Sequence, residues 1–406
     1  MKTQLIRSID GSEALRTCAR LTMHKLALAG VAAVLVSSAH AQWTVTTFTP
    51  AGATASGLSG CDGDEQVGSI TLLGVERASL WSGNPASRID LHPASATRSL
   101  ALAIGGGQQA GYCLVNNALH ACMWSGSAAS WVDLNPAGAD ESGAFAVSEG
   151  SQAGYVFTDG MNRAALWNGS ANSYIDLNPT GSMESIVNAA DGGMQAGFAY
   201  VGGKYRAGIW SGSADSWIDL SPAGSTTSFA FAIRGGQQAG SVEIDGITRA
   251  CIWSGSTSGW IDLGPSQASE SAAFATNGTE QAGYVRIGDF NFACVWNGTA
   301  ASRFDLQTPA GLGDAVATGI TSDNVHTYVT GLAINNATGL VEGLLWTRID
   351  QLCAADFNSD GIVDMFDYLD FVAAFAEVSA AADFNHDGVI DLFDYLDFVQ
   401  VFSTGC

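Results

Sequence analysis

Two acidic stretches near the end of the chain repeat one twelve-residue pattern, DFNSDGIVDMFD at 356–367 and DFNHDGVIDLFD at 383–394. Oxygen-bearing side chains occupy positions one, three, five, nine and twelve of both copies, and glycine occupies position six, where the backbone can turn sharply. A hard cation such as Ca²⁺ binds six to eight oxygen atoms, and a backbone carbonyl at position seven extends this set. The pattern therefore predicts two Ca²⁺ sites.

The order of these oxygens is that of an EF-hand loop. The predicted ligands are Asp356, Asn358, Asp360, Ile362 (carbonyl), Asp364 and Asp367 in the first loop, and Asp383, Asn385, Asp387, Val389 (carbonyl), Asp391 and Asp394 in the second. Soft metals are disfavoured, because neither cysteine nor histidine recurs at the ligand positions. The alternative is a solvated acidic tail without bound metal. Because clustered carboxylates repel one another, we expect the folding of this module to depend on Ca²⁺.

Each loop is followed by an apolar stripe with helical spacing, which predicts a short amphipathic helix after each loop. The stripes are Leu369, Val372 and Phe375, then Leu396, Val399 and Phe402. We expect these side chains to pack the two helices against each other.

Two loop–helix units with aspartate at position twelve resemble a dockerin, and the ending Gly405-Cys406 is similar to the GC-type dockerin-like tails of planctomycete-related exported proteins. The resemblance implies a tether that binds a cohesin-like or other surface-anchoring protein. Dockerins carry partner-reading residues at positions ten and eleven. Here those positions hold the bulky apolar pairs Met365-Phe366 and Leu392-Phe393, which disfavours a standard cohesin partner.

Before this tail, the chain repeats itself every 43 residues. Three residue types mark the period, and a serine keeps the same step: Trp81, Trp124, Trp167, Trp210, Trp253 and Trp296; Pro50, Pro93, Pro136, Pro179, Pro222 and Pro265; Gln66, Gln109, Gln152, Gln195, Gln238 and Gln281; Ser56, Ser99, Ser142, Ser185, Ser228 and Ser271. Periods of this length are typical of four-stranded propeller blades or of two-helix repeats.

Local sequence favours blades over helices. Each repeat contains four short β-type runs, such as SGAFAV, QAGYVF, RAALW and SYIDL, and pairs like Asp159-Gly160 between the second and third runs suit hairpin turns. A seventh, longer copy ends at Trp346 and lacks its outer run, whereas a spare outer run, TVTTF, precedes Pro50. The sequence therefore predicts an all-β, seven-bladed propeller closed by its N-terminal strand, followed by a small α-helical calcium-binding module.

Repetition in every blade suggests architectural roles for the repeated residues. We expect each Trp, with the small residue two before it, to form the core between blades. The Gln and Ser should satisfy backbone groups. The repeated Asp of the DL pair should be a solvated charge that discourages edge pairing: Asp90, Asp133, Asp176, Asp219, Asp262 and Asp305.

The repeat pattern, A-x-x-W-x-G followed by DL-x-P, S-x-A-x-A and G-x-Q-A-G, resembles the HAF family of bacterial extracellular repeat proteins over about residues 50–346. RAAL and RACI stand where that family carries its His-Ala-Phe triplet. The resemblance implies export and repetition more than any mechanism.

One constellation could hold a ligand in the propeller. Arg98, Glu141, Glu184 and Glu270, with Thr227, precede the first strand of successive blades and should ring one face near the central channel. Three carboxylates there could bind a cation or a sugar, or could be solvated loop charges. Catalytic residues are not assigned, so the preferred function is a non-catalytic binding or structural propeller; the alternative is a carbohydrate-active enzyme, a polysaccharide hydrolase or lyase, that carries a dockerin.

Net charge and the N-terminal segment limit the expected partners and location of the protein. The formal charge is −23, which disfavours nucleic-acid partners, and after Gln351 there are eleven Asp or Glu without a Lys or Arg. Lys25, an apolar run at 26–36 and the ending Ala39-His40-Ala41 predict a cleaved leader and a secreted or cell-surface protein without a later membrane span. The alternative is an uncleaved anchor, for which the apolar run is short. The predicted domains are a leader at 1–41, a propeller at 42–350 and a dockerin-like module at 351–406.

The cysteines divide into two groups. Cys61, Cys113, Cys122, Cys251 and Cys294 replace apolar repeat residues and should be packed thiols. Cys353 and Cys406 bracket the acidic module, and in an oxidising compartment they could form a disulfide bond. Alternatively, Cys406 is read by a sorting or attachment system.

Overall fold

A computed structural model describes residues 43–323, 325–350, 354–358, 363–385 and 387–404. The predicted leader, Cys353, Cys406, Asp360 and Ile362 lie outside these residues, so the expectations for them stay predictions. Contacts between Cα atoms divide the chain into two compact units. The first contains Val45–Thr321 and Tyr328–Trp346; the second contains Ser322–Thr327 and the described residues after Trp346. The domain boundary at 350/351 also stays a prediction.

In the described part of the chain, 28 strands form seven four-stranded antiparallel sheets. Blade 1 contains β2 (Ala53–Asp62), β3 (Glu65–Leu72), β4 (Val75–Ser82) and β5 (Asn84–Asp90); blade 2 contains β6 (Arg98–Gly105), β7 (Gln108–Val115), β8 (Ala118–Trp124) and β9 (Val132–Asp133). Blade 3 contains β10 (Glu141–Ser148), β11 (Ser151–Thr158), β12 (Met161–Trp167) and β13 (Ile175–Asp176); blade 4 contains β14 (Ser185–Asp191), β15 (Met194–Val201), β16 (Lys204–Trp210) and β17 (Ile218–Asp219).

The remaining blades keep this order. Blade 5 contains β18 (Thr227–Arg234), β19 (Gln237–Ile244), β20 (Ile247–Trp253) and β21 (Ile261–Asp262), and blade 6 contains β22 (Glu270–Thr276), β23 (Gln281–Ile287), β24 (Phe290–Trp296) and β25 (Phe304–Asp305). Blade 7 contains β26 (Leu312–Ser322), β27 (His326–Asn335), β28 (Val341–Ile349) and β1 (Thr44–Thr47). One turn of 3₁₀ helix joins the last two strands of blades 2 to 6: Ala128–Ser130, Ala171–Ser173, Ala214–Ser216, Thr257–Gly259 and Ala300–Ser302.

The seven-bladed propeller and its closure are confirmed. The N-terminal strand β1 pairs with β28 as the outer strand of blade 7, and just beyond β1 the N–H of Phe48 donates to the carbonyl of Gly343 at 2.8 Å. First strands of consecutive blades from 1 to 6 contact one another, so they surround the central axis. The hairpin turns are also as expected: Asp159 and Gly160 both adopt positive φ, as a turn that follows the twist of its strands requires.

Tryptophan forms the core between blades, as expected. All seven repeat tryptophans, including Trp346, are buried, and the residue two before them is also buried where it is Ser79, Cys122, Ala165, Cys251 or Cys294. Neighbouring blades contribute to one cluster: Val156 and Trp167 of blade 3 pack with Ala110 and Met123 of blade 2. A large ring beside a small residue fills the gap between twisted sheets without voids.

The repeated serine joins each blade to the one before it. Its hydroxyl oxygen accepts the N–H of the third strand of the preceding blade: Ala78 to Ser99, Ala121 to Ser142, Ala164 to Ser185, Ala207 to Ser228 and Ala250 to Ser271, at 2.9–3.0 Å. Ser56 does the same for Gly343 across the ring closure, at 2.8 Å. We call these six contacts the serine latches. The repeated glutamines accept from the loop before the outer strand, as between Gln152 and the N–H of Gly169 at 2.9 Å.

The repeated aspartates are partly solvated, as expected, with 31–39% of the side chain exposed in blades 1 to 5. What the expectation missed is that each also accepts from a basic side chain of the third strand: Arg77 to Asp90, His120 to Asp133, Arg163 to Asp176, Arg206 to Asp219 and Arg249 to Asp262, at 2.6–3.4 Å. The two partners lie on adjacent strands of one blade, which sequence spacing alone does not reveal. In blade 6, Phe292 replaces the basic residue, and Arg303 binds Asp305 instead.

The C-terminal unit contains a small helical module. It has α1 (Met365–Ala376), a 3₁₀ turn at Ala380–Ala382 and α2 (Leu392–Thr404). Phe371 and Phe398 are buried and stack with centroids 3.9 Å apart, and the hydroxyls of Tyr368 and Tyr395 lie 2.9 Å apart. Equivalent residues of the two helices thus meet each other. Within the described residues, no helix is long and apolar enough to cross a membrane.

The expected packing stripe is wrong for two of its residues. Leu369 and Leu396 are 52% and 50% exposed, whereas the stacked phenylalanines two residues after them form the buried centre. Val372, Phe375, Val399 and Phe402 are partly buried against that centre, as expected.

Candidate functional site

The two acidic loops place their last carboxylate in the same way. Asp367 and Asp394, at position twelve, are completely buried. Each accepts backbone N–H groups from positions nine and three of its own loop, with N···O distances of 2.8 and 3.1 Å in both copies. Asp364 and Asp391, at position nine, accept the N–H two residues later at 2.7 and 2.8 Å, which begins each helix.

The second loop is described at every predicted ligand position. Asp383 accepts the N–H of Gly388 at 3.0 Å, and Gly388 has a φ of +85°, so position six makes the sharp turn expected of it. Asn385 accepts the N–H of Asp387, and Asp387 accepts that of Val389, at 2.9 and 2.8 Å. The side-chain oxygens at positions one, three and five therefore shape the loop from within.

One oxygen of this loop fits a cation. Oδ1 of Asp383 is buried and accepts no hydrogen bond from any described residue. A buried carboxylate oxygen without a donor is costly unless positive charge reaches it. The module contains no Lys or Arg to supply that charge. The donor set, carboxylate and amide oxygens only, is the kind Ca²⁺ prefers.

The carboxylates are spread around the loops rather than gathered. Among the described side chains, no group of three His, Cys, Asp or Glu is close enough to hold a metal ion. The backbone N–H of Asp391, against the opposing effect of burial, holds the pKa of the Asp394 carboxyl below its usual value. Backbone N–H groups thus stabilise part of the negative charge of the loop, and calcium binding stays a prediction.

The residues at positions ten and eleven face solvent in both halves of the module. Met365 and Phe366 are 64% and 66% exposed, and Leu392 and Phe393 are 63% and 65% exposed. Leu369 and Leu396 extend each pair by one helical turn. We call these two sets the apolar patches. Because they differ little in composition or exposure, a partner that binds one patch has the same chemistry available at the other.

The predicted ligand face is found at the start of the inner strands, but its charges are largely engaged. Arg98 donates to Glu76 at 2.5 Å, Glu184 accepts from Asn162 at 2.7 Å, and Glu270 accepts from Tyr284 at 2.6 Å. Each of these side chains is half-buried. Glu141 is half-buried as well, and with burial it raises the pKa of the Tyr155 hydroxyl. The structure thus places these residues on successive blades, and their binding role stays a prediction.

A set of bulged residues on the inner strands was missed by sequence reasoning. The inner strand of each of blades 1 to 6 carries a β-bulge at one register position, and the bulged residues are Ser59, Leu102, Phe145, Asn188, Phe231 and Phe274. A bulge rotates a side chain out of the alternation between the two faces of a strand. These positions also recur every 43 residues, but the residue type varies from blade to blade, so the repeat does not mark them in the sequence.

The cysteines of the propeller are packed thiols, as expected. Cys113, Cys122, Cys251 and Cys294 are completely buried, and all five described cysteines are free. Burial raises the pKa of the Cys251 and Cys294 thiols, and it raises that of Cys61 to about 12. Such thiols are poor nucleophiles at neutral pH.

Comparisons with known proteins add the fold alone. No protein-family model and no curated protein sequence matches the chain. Similar solved structures include the β-propeller domain of the Trilobed protease from Pyrococcus furiosus, 12% identical with a TM-score of 0.49 over 72% of this chain and 94% of that one. Oligogalacturonate lyase from Vibrio parahaemolyticus is 10% identical with a TM-score of 0.46 over 76% and 98%.

TolB from Acinetobacter baumannii is 12% identical with a TM-score of 0.42 over 57% of this chain, which spans 60% of the TolB chain. At these identities, none of the three activities is carried over.

Proposed function

We propose that this chain is an exported binding protein whose propeller presents a ligand surface and whose C-terminal module, folded around two Ca²⁺ ions, anchors it to a surface or extracellular assembly. The observation that carries the proposal is the duplication of the acidic loop. Two segments 27 residues apart keep the same oxygens, the same buried carboxylate and the same backbone contacts. A solvated tail has no reason to repeat such a set.

The apolar patches support the anchoring role. A small module that leaves six bulky apolar side chains half-exposed or more presents a surface suited to another protein. The patches also lie at the positions where dockerins read their partners. A cohesin-like protein, or another surface-anchoring protein with an apolar docking face, fits this chemistry.

The internal use of the repeated polar residues supports a non-catalytic propeller. The serines, glutamines and aspartates that recur in the blades are bound within or between blades. Glu184 and Glu270 are held by Asn and Tyr donors at the mouth of the channel. Nη1 of Arg286 also lies 3.9 Å from Glu270, so these contacts hold both carboxylates in place.

The test is a calcium titration of the full mature chain by isothermal calorimetry. We expect two ions per chain, one ion after Asp394→Ala and one after Asp367→Ala. Asp397→Ala is the matched control, because Asp397 is an exposed carboxylate of the same helix outside the loop. An unchanged stoichiometry in both loop variants would falsify the calcium sites.

Anchoring is tested separately by capture from the native envelope with and without Ca²⁺. We expect one dominant partner that is released by chelator and lost when Phe366 and Phe393 are both changed to Ser. If the same partner is captured in the presence of chelator and by the double variant, the module is not the tether.

A further inference from the structure

We infer that the central channel between blades 4 and 6 binds a neutral oligosaccharide, with a sugar hydroxyl donating to Asn188 and sugar rings packing on Phe231 and Phe274. The inference rests on the proposed binding role of the propeller and names its ligand class.

The location of the site follows from the fold. Both faces of an inner strand pack against neighbouring blades, so solvent reaches its side chains only from the channel or from the ends of the strand. Phe231 and Phe274 lie at bulges in mid-strand and pack against an apolar cluster of blades 6 and 7 that includes Val316. They are half-buried, so the channel accounts for their remaining exposure. Their rings lie 5.2 Å apart at 65°, so they form one continuous aromatic surface across blades 5 and 6.

Asn188 occupies the same bulge in blade 4. It is only 7% exposed, its Nδ2 donates to the carbonyl of Ala230 at 2.8 Å, and its Oδ1 accepts no hydrogen bond from the described residues. Ala230 directly precedes Phe231, so the amide lies beside the aromatic surface. A buried amide oxygen left without a donor destabilises the fold.

The repeat shows that architecture does not require this amide. The equivalent residues of the flanking blades are Phe145 and Phe231, and blade 2 carries Leu102. An acceptor in place of an apolar side chain is therefore a cost to the fold, and a ligand that donates a hydrogen bond removes it. Sites that combine aromatic surface with a few polar groups are typical of small-ligand pockets.

The charge around the channel selects a neutral sugar over an acidic one. Glu141, Glu184 and Glu270 begin or directly precede inner strands of blades 3, 4 and 6, and Arg98 of blade 2 is paired with Glu76. Nη1 of Arg286 lies 3.9 Å from Glu270, so the mouth is rich in acceptors and its negative charge rests on Glu141 and Glu184. Hydroxyl donors suit it, whereas a polyuronate would be repelled.

The experiment is calorimetric binding of the full mature chain to cellohexaose, xylohexaose and mannohexaose, with hexagalacturonate as the acidic probe. The main variant is Asn188→Phe, which removes the acceptor and installs the residue found in blades 3, 5 and 6. A second variant, Phe231→Leu, removes the ring and installs the residue of blade 2. Phe304→Ser is the control, because Phe304 is an exposed aromatic on an outer strand.

We expect one of the neutral hexasaccharides to bind, and each channel variant to weaken its binding at least about tenfold while Phe304→Ser leaves it unchanged. Tighter binding of hexagalacturonate, absence of binding by all four probes, or equal binding by the wild type and both channel variants each overturns the inference. Calcium-dependent capture by the tail is measured on the same samples. If capture succeeds while sugar binding fails, the channel inference is lost and the anchoring function stands.

Discussion

The propeller and the C-terminal module both repeat polar residues, but they satisfy them differently. In the propeller, each latch serine and each repeated glutamine meets a backbone group of the protein at 2.8–3.1 Å. In the module, the carboxylates of Asp367 and Asp394 accept backbone N–H groups, whereas Oδ1 of Asp383 accepts no hydrogen bond from any described residue. Repetition alone therefore does not separate structural from ligand-binding residues. For a buried carboxylate, the separating criterion is whether the protein itself supplies a donor or a positive charge.

The largest effect expected from this contrast is on the response to chelation. We expect calorimetry of the full chain to show two unfolding transitions, of which only the module's shifts with calcium. At free calcium one hundred times the dissociation constant, each site should stabilise the module by about 2.7 kcal/mol. Asp383→Asn should reduce this calcium-dependent shift.

The propeller transition serves as the internal control for this measurement. Its latches involve no ion, so its midpoint should be the same in calcium and in chelator. The proposed difference between the regions would be wrong if calcium shifted the midpoints of both transitions equally, or if it left the midpoint of the module transition unchanged.

A smaller effect is expected from removing one latch. Ser142→Ala leaves the N–H of Ala121 buried without an acceptor, and we expect a loss of about 1–3 kcal/mol in the free energy of unfolding, measured with urea. Ser213→Ala is the control, because Ser213 is exposed on the loop before an outer strand and its hydroxyl makes no latch. Equal stability of the two variants would show that the latches are not what joins the blades.

Much of the propeller could be predicted from sequence because its signals are periodic. The 43-residue step marks Trp167 and its equivalents as core, and Asp159-Gly160 as a hairpin turn. The spare N-terminal run identifies the closing strand. Each of these is a local property that repeats in register, and the structure confirms them.

Other features depend on which residues meet across strands or helices. The bulges at Asn188 and Phe231 are visible only in the pairing of inner strands. In the module, α1 is apolar on most sides, so spacing did not separate the exposed Leu369 from the buried Phe371. The apolar residues of both helices are evident in the sequence, but periodicity alone could not show which of them form the exposed apolar patches and which form the buried aromatic stack.

The smallest effect concerns one latch that differs chemically from the others. The hydroxyl of Ser142 donates to Asn135 and that of Ser185 to Asn178, whereas Ser99 lies 2.7 Å from Nδ1 of His92. Since Ser99 already accepts the N–H of Ala78, its own proton is free for a neutral imidazole. Burial and the nearby Arg77 lower the pKa of His92, and Asp90 opposes them.

The sign of the pH dependence follows from this lowered pKa. Below the unfolded-state pKa of about 6.5, the unfolded chain binds a proton at His92 more readily than the folded chain does, so this contribution to stability falls as the pH drops. In His92→Asn, which installs the residue of the next two blades, that loss should be absent. Urea unfolding of both proteins at pH 7.5 and 5.0 measures it, and the comparison cancels the titration of the carboxylates common to both. If the two proteins lose the same stability on acidification, the contact with Ser99 does not keep His92 neutral. The strength of a serine latch is then independent of the second residue that the serine hydroxyl contacts.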